Sequence, residues 1–175
     1  EQLARFFVLA RTQGLGLNAQ ELRLRELLLQ AGLLQAASDG AERSPKPQAL
    51  ISFSAPQADD PATPPDEAID AQRRESVLRH ELSHGEFFTD PAYRDHCWNF
   101  WRTLMSEAER QLFRRYLAGI DYDPGNEELM VNETQAMLMH TPDTRAFNAA
   151  SLGVSESQLA DMRARFRRGL APAKP

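Results

Sequence analysis

Apolar positions along this chain recur mostly at intervals of three and four, the spacing of one face of a helix. Residues 3–12 predict a first helix, stopped by Gly14 and Gly16. Asn18 then caps a second, with Glu21 three residues on completing a capping box, apolar positions at 22, 24, 27, 28 and 29, and Gly32 as the stop. Residues 38–48 are polar and read as a loop. Residues 49–54 (Ala-Leu-Ile-Ser-Phe-Ser) carry the alternation of a short strand. Four prolines and two aspartates make 55–65 irregular. Asp66 and Glu67, after Pro64-Pro65, suit the first turn of a helix over 66–88, which closes before Asp90-Pro91. A longer helical pattern over 92–118 shows Trp98, Trp101, Leu104, Leu112, Phe113 and Tyr116 on its apolar face, with a break near Ser106. A loop at 119–125 precedes a helix over 127–140, closed by Pro142. The last helix has Ser155 as cap, Gln158 as box partner, Gly169 as stop, and Arg163, Arg165, Arg167 and Arg168 towards its C-terminal end.

The predicted class is therefore mainly α (α+β), with one small sheet or edge strand. The expected organisation is an N-terminal helical segment (1–40) packed on the core, a loop with a short strand and a proline-rich stretch (41–65), a core (66–145) and a C-terminal helix (146–175). A chain of 175 residues can bury a proper core. A net charge of −5 argues against nucleic acid as partner, and the helix–glycine turn–helix at the N-terminus lacks the basic face a DNA reader needs. No apolar run is long enough to span a membrane. Cys97 is the one cysteine, which excludes an intramolecular disulfide and a cysteine-rich zinc site; within its helix it reads as inert. The chain opens on Glu1 rather than Met, which reads as a processed or trimmed end and tilts the expectation towards an extracytoplasmic, periplasmic compartment without deciding it.

Chemistry concentrates in His80-Glu81-Leu82-Ser83-His84. Two imidazoles four residues apart share one helical face, one turn apart, so both can bind one metal ion, with Glu81 beside them to take a proton from an activated water. Val77, Leu78, Leu82, Phe87 and Phe88 flank the motif and predict a core helix, in which unpartnered ionisable groups are costly. A catalytic zinc needs a third protein ligand. Glu133, in Val131-Asn132-Glu133-Thr134-Gln135-Ala136-Met137, is the first candidate, because an unpaired carboxylate is expensive in so apolar a helix. Asp90, six residues after His84, is the rival; His96, His140, Asp121 and Asp123 are further alternatives.

His80-Glu81-x-x-His84 followed by Asn132-Glu133-x-x-Ala136 resembles the gluzincin branch of zinc metallopeptidases over about 20 positions and two helices. The resemblance implies a zincin-like fold with the metal site between the 66–88 and 127–140 helices. It implies Zn2+ on His80, His84 and Glu133, and Ala136 as the small residue that lets the helices approach. Many gluzincins carry an acidic residue one turn after the glutamate to orient a histidine ligand; this chain has Met137 there. Glu127, Glu128, Asp123 or a backbone carbonyl are the expected substitutes. Asp90 stands where the metzincin branch places its third ligand, but Phe87 replaces the glycine turn that such an arrangement needs.

The expected function is hydrolysis of peptide bonds in a peptide or protein substrate by a metal-activated water, with Glu81 as general base. His140, two turns after Glu133, is the expected donor to the developing oxyanion, with Tyr122, Tyr93 and Arg145 as alternatives. The 49–54 strand could grip an extended substrate by β-augmentation or be purely structural. The aromatics Trp98, Phe100, Trp101 and Phe113 read as core, or as a specificity wall. Competing readings are a binding or structural module in which zinc merely staples two helices, and a toxin or effector protease with one dedicated protein substrate.

Overall fold

The structure is a computed structural model that describes residues 2–38, 40–53 and 69–170. It divides into two compact units, Glu1–Ala49 and Leu50–Pro175. The first holds α1 (Gln2–Thr12), α2 (Ala19–Gln30) and a two-stranded antiparallel ladder, β1 (Gln35–Ala36) with β2 (Glu42–Arg43). The Asn18 box forms in both directions: Asn18 Oδ1 accepts from the Glu21 amide at 2.9 Å, and the Glu21 carboxylate accepts from the Asn18 amide at 2.7 Å. Ala4, Phe7, Leu28 and Leu34 make this unit's core. The buried Glu42 carboxylate is matched by Arg25, whose Nε donates at 2.7 Å. Gly40 turns the hairpin at a φ of +74°, a conformation that disfavours residues with a Cβ.

Residues 49–53 form no strand, contrary to the alternation of their side chains. A strand needs a partner for its backbone groups, and no described residue offers one to this segment; of the observed ladder, β2 falls in the 38–48 stretch read as loop and β1 just before it. Ser54, the 55–65 stretch and the expected first turn at Asp66 and Glu67 lie outside the described residues.

In the second unit, α3 (Ala71–Thr89), α4 (Pro91–Asn99), a π-helical turn (Phe100–Leu104), α5 (Glu107–Ala118), α6 (Glu127–His140), α7 (Ala149–Leu152) and α8 (Glu156–Arg168) follow one another. The mainly helical expectation holds. The predicted Ser155 cap forms a reciprocal box with Gln158, and at the expected break Ser106 makes a further box with Glu109 that the sequence reading did not name. Asp90 ends α3 and starts α4, its Oδ1 accepting from the amides of Ala92 at 2.8 Å and Tyr93 at 3.2 Å. The π turn closes through a Met105 amide to Phe100 carbonyl bond of 2.9 Å, and Arg110 donates to the Trp101 and Met105 carbonyls, each at 2.9 Å. No helix among the described residues is long and apolar enough to cross a membrane.

Helix α6 is the axis of this unit, packed by α3, α4, α5 and α8. Residues 130–136 of α6 are buried without interruption. Around it Phe87, Phe100, Trp101, Phe113, Phe147 and Phe166 fill the core; Trp98, Leu112 and Tyr116 pack at its margin, while Leu104 is exposed. The aromatics are thus chiefly core, as expected. Helix α3 departs from expectation. Its buried stripe is Ser76, His80, Ser83 and Phe87, whereas Leu82 is 53 % and Phe88 44 % exposed. The helix faces the core with its polar side, because that side finds polar partners on α6 and beyond it.

One such partner is structural. Asp143, fully buried after α6, accepts from Arg73 Nε at 2.8 Å and Arg145 Nε at 2.9 Å, and its amide donates to Ser76 Oγ at 3.2 Å. Arg145 also clamps Asp70, the cap of α3, at 2.9 Å through both terminal nitrogens. Its hydrogen bonds are the main reason both carboxyls lie below the usual aspartate range, Asp70 at about 2. A depressed carboxyl contributes stability that is present above its unfolded pKa of 3.8 and lost as pH falls through the folded value. Asp143→Asn should therefore lower the thermal midpoint at neutral pH by about 5 °C or more and flatten the acid limb below about pH 4. Calorimetry across that range checks both, and an acid limb unchanged in the variant would refute the assignment.

Candidate metal centre

Four-residue spacing on α3 stacks His80 above His84, ring centroids 4.7 Å apart and planes at 89°. Their Nε2 atoms lie 3.0 Å from each other. From α6, Glu133 reaches between them, Oε1 at 3.4 Å from His84 Nε2 and Oε2 at 3.5 Å from His80 Nε2. The carboxylate is 5 % exposed, and its Oε2 has no hydrogen-bond partner among the described residues.

Neighbouring groups decide where the imidazole protons sit. Thr141 Oγ1 lies 3.0 Å from the Ala136 carbonyl, which brings no proton, so the hydroxyl donates there. The same oxygen stands 2.9 Å from His80 Nδ1 and can only accept from it. In the neutral ring this leaves His80 Nε2 bare. On His84, Nδ1 donates to the Asn132 carboxamide oxygen at 3.0 Å, and Nε2 is again bare. With both rings neutral, two lone pairs and a carboxylate converge in this buried space. Such a group is unfavourable alone and satisfied by a cation. Ligand atoms about 2.0–2.2 Å from a tetrahedral ion stand about 3.3 Å apart, the spacing found here. His80, His84 and Glu133 can hold a metal ion.

The other sequence candidates do not join the group. Asp90 is spent capping α4. His96 lies edge-on to Phe166 at 4.6 Å. Asp121 adopts a left-handed φ of 69°, and Asp123 accepts from the Gly125 amide at 2.8 Å. The expected orienting acids are also elsewhere: Glu127 faces Trp101 and Arg114, and Glu128 pairs with Arg94. That role falls to Thr141 and Asn132. Asn132 was visible beside Glu133 but not its direction; Thr141 lies past the helix end, where no periodicity points.

Of the expected oxyanion donors, Arg145 is committed to Asp70 and Asp143, and Tyr93 donates to Gln135 Oε1 at 2.6 Å. His140 Nε2 is 2.9 Å from Tyr93 Oη. Burial is the main reason the His140 pKa falls to about 4, so it is neutral at physiological pH. Tyr122 stays near the triad: burial and the adjacent Glu133 and Glu81 carboxylates push its hydroxyl to about 12 and keep it protonated. Burial raises the Cys97 thiol to about 12, which leaves it an unreactive thiol.

A scan against protein-family models and searches of curated proteins and solved structures found no match.

Elemental analysis should find metal in wild type and Asp90→Ala but not in Glu133→Ala or His84→Ala; metal kept in Glu133→Ala would remove that residue from the site. Thr141→Val should weaken binding about 10- to 100-fold by chelator competition, since His80 loses the group that orients it.

Proposed function

We propose that the second unit is a zinc-dependent hydrolase acting on peptide bonds, with His80, His84 and Glu133 as ligands and Glu81 as general base. The observation that carries the reading is the convergence of two imidazole nitrogens and a buried carboxylate oxygen within 4.8 Å of one another, with Glu81 next to His80 in sequence. A zinc ion held there supplies a Lewis acid that makes water nucleophilic near neutral pH. Glu81, next to His80 on α3, takes the proton from that water and returns it to the departing amine. The Tyr122 hydroxyl, close to Glu81 and Glu133 and protonated, is the group suited to donate to the oxygen on which negative charge develops. The HExxH-plus-glutamate arrangement is that of the gluzincin branch of zincins, which supports the same assignment.

A zinc that only staples α3 to α6 is the competing reading. A closed structural site takes four protein ligands, and among the described residues three converge.

Glu81→Gln should retain its metal and lose hydrolysis of a mixed peptide library by at least about 100-fold; wild-type turnover in that variant would exclude the mechanism. Tyr122→Phe should lower kcat about 10- to 1000-fold with metal content unchanged. An equal kcat would return the oxyanion role to another residue.

A further inference from the structure

A continuous hydrogen-bond chain leaves His84 on the side away from the triad and ends on His140. Its direction follows from a single backbone carbonyl. Ser83 Oγ lies 2.7 Å from the carbonyl of His80, and since that oxygen has no proton, the serine hydroxyl donates to it. With its only proton committed, Ser83 Oγ can merely accept from Gln135, 3.1 Å away. The Gln135 atom facing it is therefore the amide nitrogen. That nitrogen's second proton points at Asn132, 3.3 Å away, so the Asn132 atom there is the carboxamide oxygen. The same oxygen accepts from His84 Nδ1.

Gln135's other end faces Tyr93. It is the amide oxygen, and Tyr93 donates to it at 2.6 Å. With its proton spent, Tyr93 Oη can only accept from His140 Nε2 at 2.9 Å. His140 then carries its proton on Nε2 and leaves Nδ1 bare.

We infer that Gln135 is a positioning residue that reads the Ser83 hydroxyl and sets the tautomers of two histidines at once: His84, whose Nε2 it frees for metal, and His140, which it makes an acceptor at Nδ1. Gln135 is 1 % exposed, and both its donors and its acceptor are matched, so a reversed amide would oppose lone pair to lone pair at Ser83 and at Asn132. The triad needs only the near half of this chain. The far half, through Tyr93 to His140, also shows why neutral His140 is not a donor at Nδ1. The inference rests on the metal-site reading for His84 alone; the His140 half stands whether or not the protein cleaves peptides.

The test uses the full chain, metal-free and zinc-loaded, with histidine nitrogen chemical shifts read by long-range 15N–1H correlation. Wild type should show His140 as the Nε2–H tautomer in both states and His84 as Nδ1–H without metal. A wild-type His140 with its proton on Nδ1 overturns the inference with no variant needed. Gln135→Met removes the reader: Tyr93 becomes free to donate to His140 Nε2, His140 switches to Nδ1–H, and zinc affinity falls about 10- to 100-fold as Asn132 loses its restraint. Tyr93→Phe cuts only the far half and should leave zinc affinity within about twofold. Equal affinity in Gln135→Met, or an equal loss in both variants, overturns the positioning role. Retained tautomers with no peptide hydrolysis would instead count against the proposed function and leave this inference standing.

Discussion

A carboxylate buried at the centre of a helix that has almost no solvent-facing side is the constraint on which this unit is built. Glu133 sits on α6 within a run of buried residues, and among the described residues its Oε2 has no hydrogen-bond donor. An ionised group so placed is far too costly to keep unless something of opposite charge is brought to it. Everything adjoining it follows from that demand: two imidazoles turned with lone pairs inward, and a neighbouring helix whose buried stripe is serine, histidine and serine before it is phenylalanine. The aromatic core on the other sides of α6 supplies the apolar burial that makes such a polar seam affordable.

The groups that orient the two histidines are both uncharged. A hydroxyl on the chain after α6 holds His80, and a carboxamide on α6 holds His84. No acid one turn past Glu133 takes part: that position is Met137, and His80 is held by Thr141. Neutral partners add no negative charge to the site, so the charge facing a bound cation is that of Glu133 with Glu81 nearby. A divalent ion there keeps more of its electron-withdrawing power than it would behind a second carboxylate.

Local features were legible in the sequence because local rules govern them. The helices, the reciprocal caps at Asn18 and Ser155, the break near Ser106, the stop at Asp90-Pro91 and the three residues of the metal group all depend on spacings within a few residues or on one expensive buried charge. What escaped depends on three-dimensional crossings. The orientation of α3 is one case: Leu82 and Phe88 look like core residues by type, yet Ser76 and Ser83 are the ones buried, since Asp143 and Gln135 wait opposite them. The 49–53 segment is another, where side-chain alternation suits a strand but backbone partners are missing among the described residues. Thr141 and Asn132 could be seen; their direction could not, because it is set by where α6 crosses α3. The π turn at Phe100–Leu104 and the four-residue α7 are too short for any periodicity to announce.

The inside-out character of α3 has a consequence for how the unit breathes. Most helices are held by oil-like contacts that tolerate a small slide or roll. Here attachment depends on a lock of matched donors and acceptors, in which a roll of one residue would face Leu82 and Phe88 inward and strand Ser83, His80 and Gln135 without partners. Seating is thus all or nothing. Helix α3 should come and go as one cooperative segment, and occupancy of the triad should be felt as slowed amide exchange along its whole length rather than at the two histidines alone.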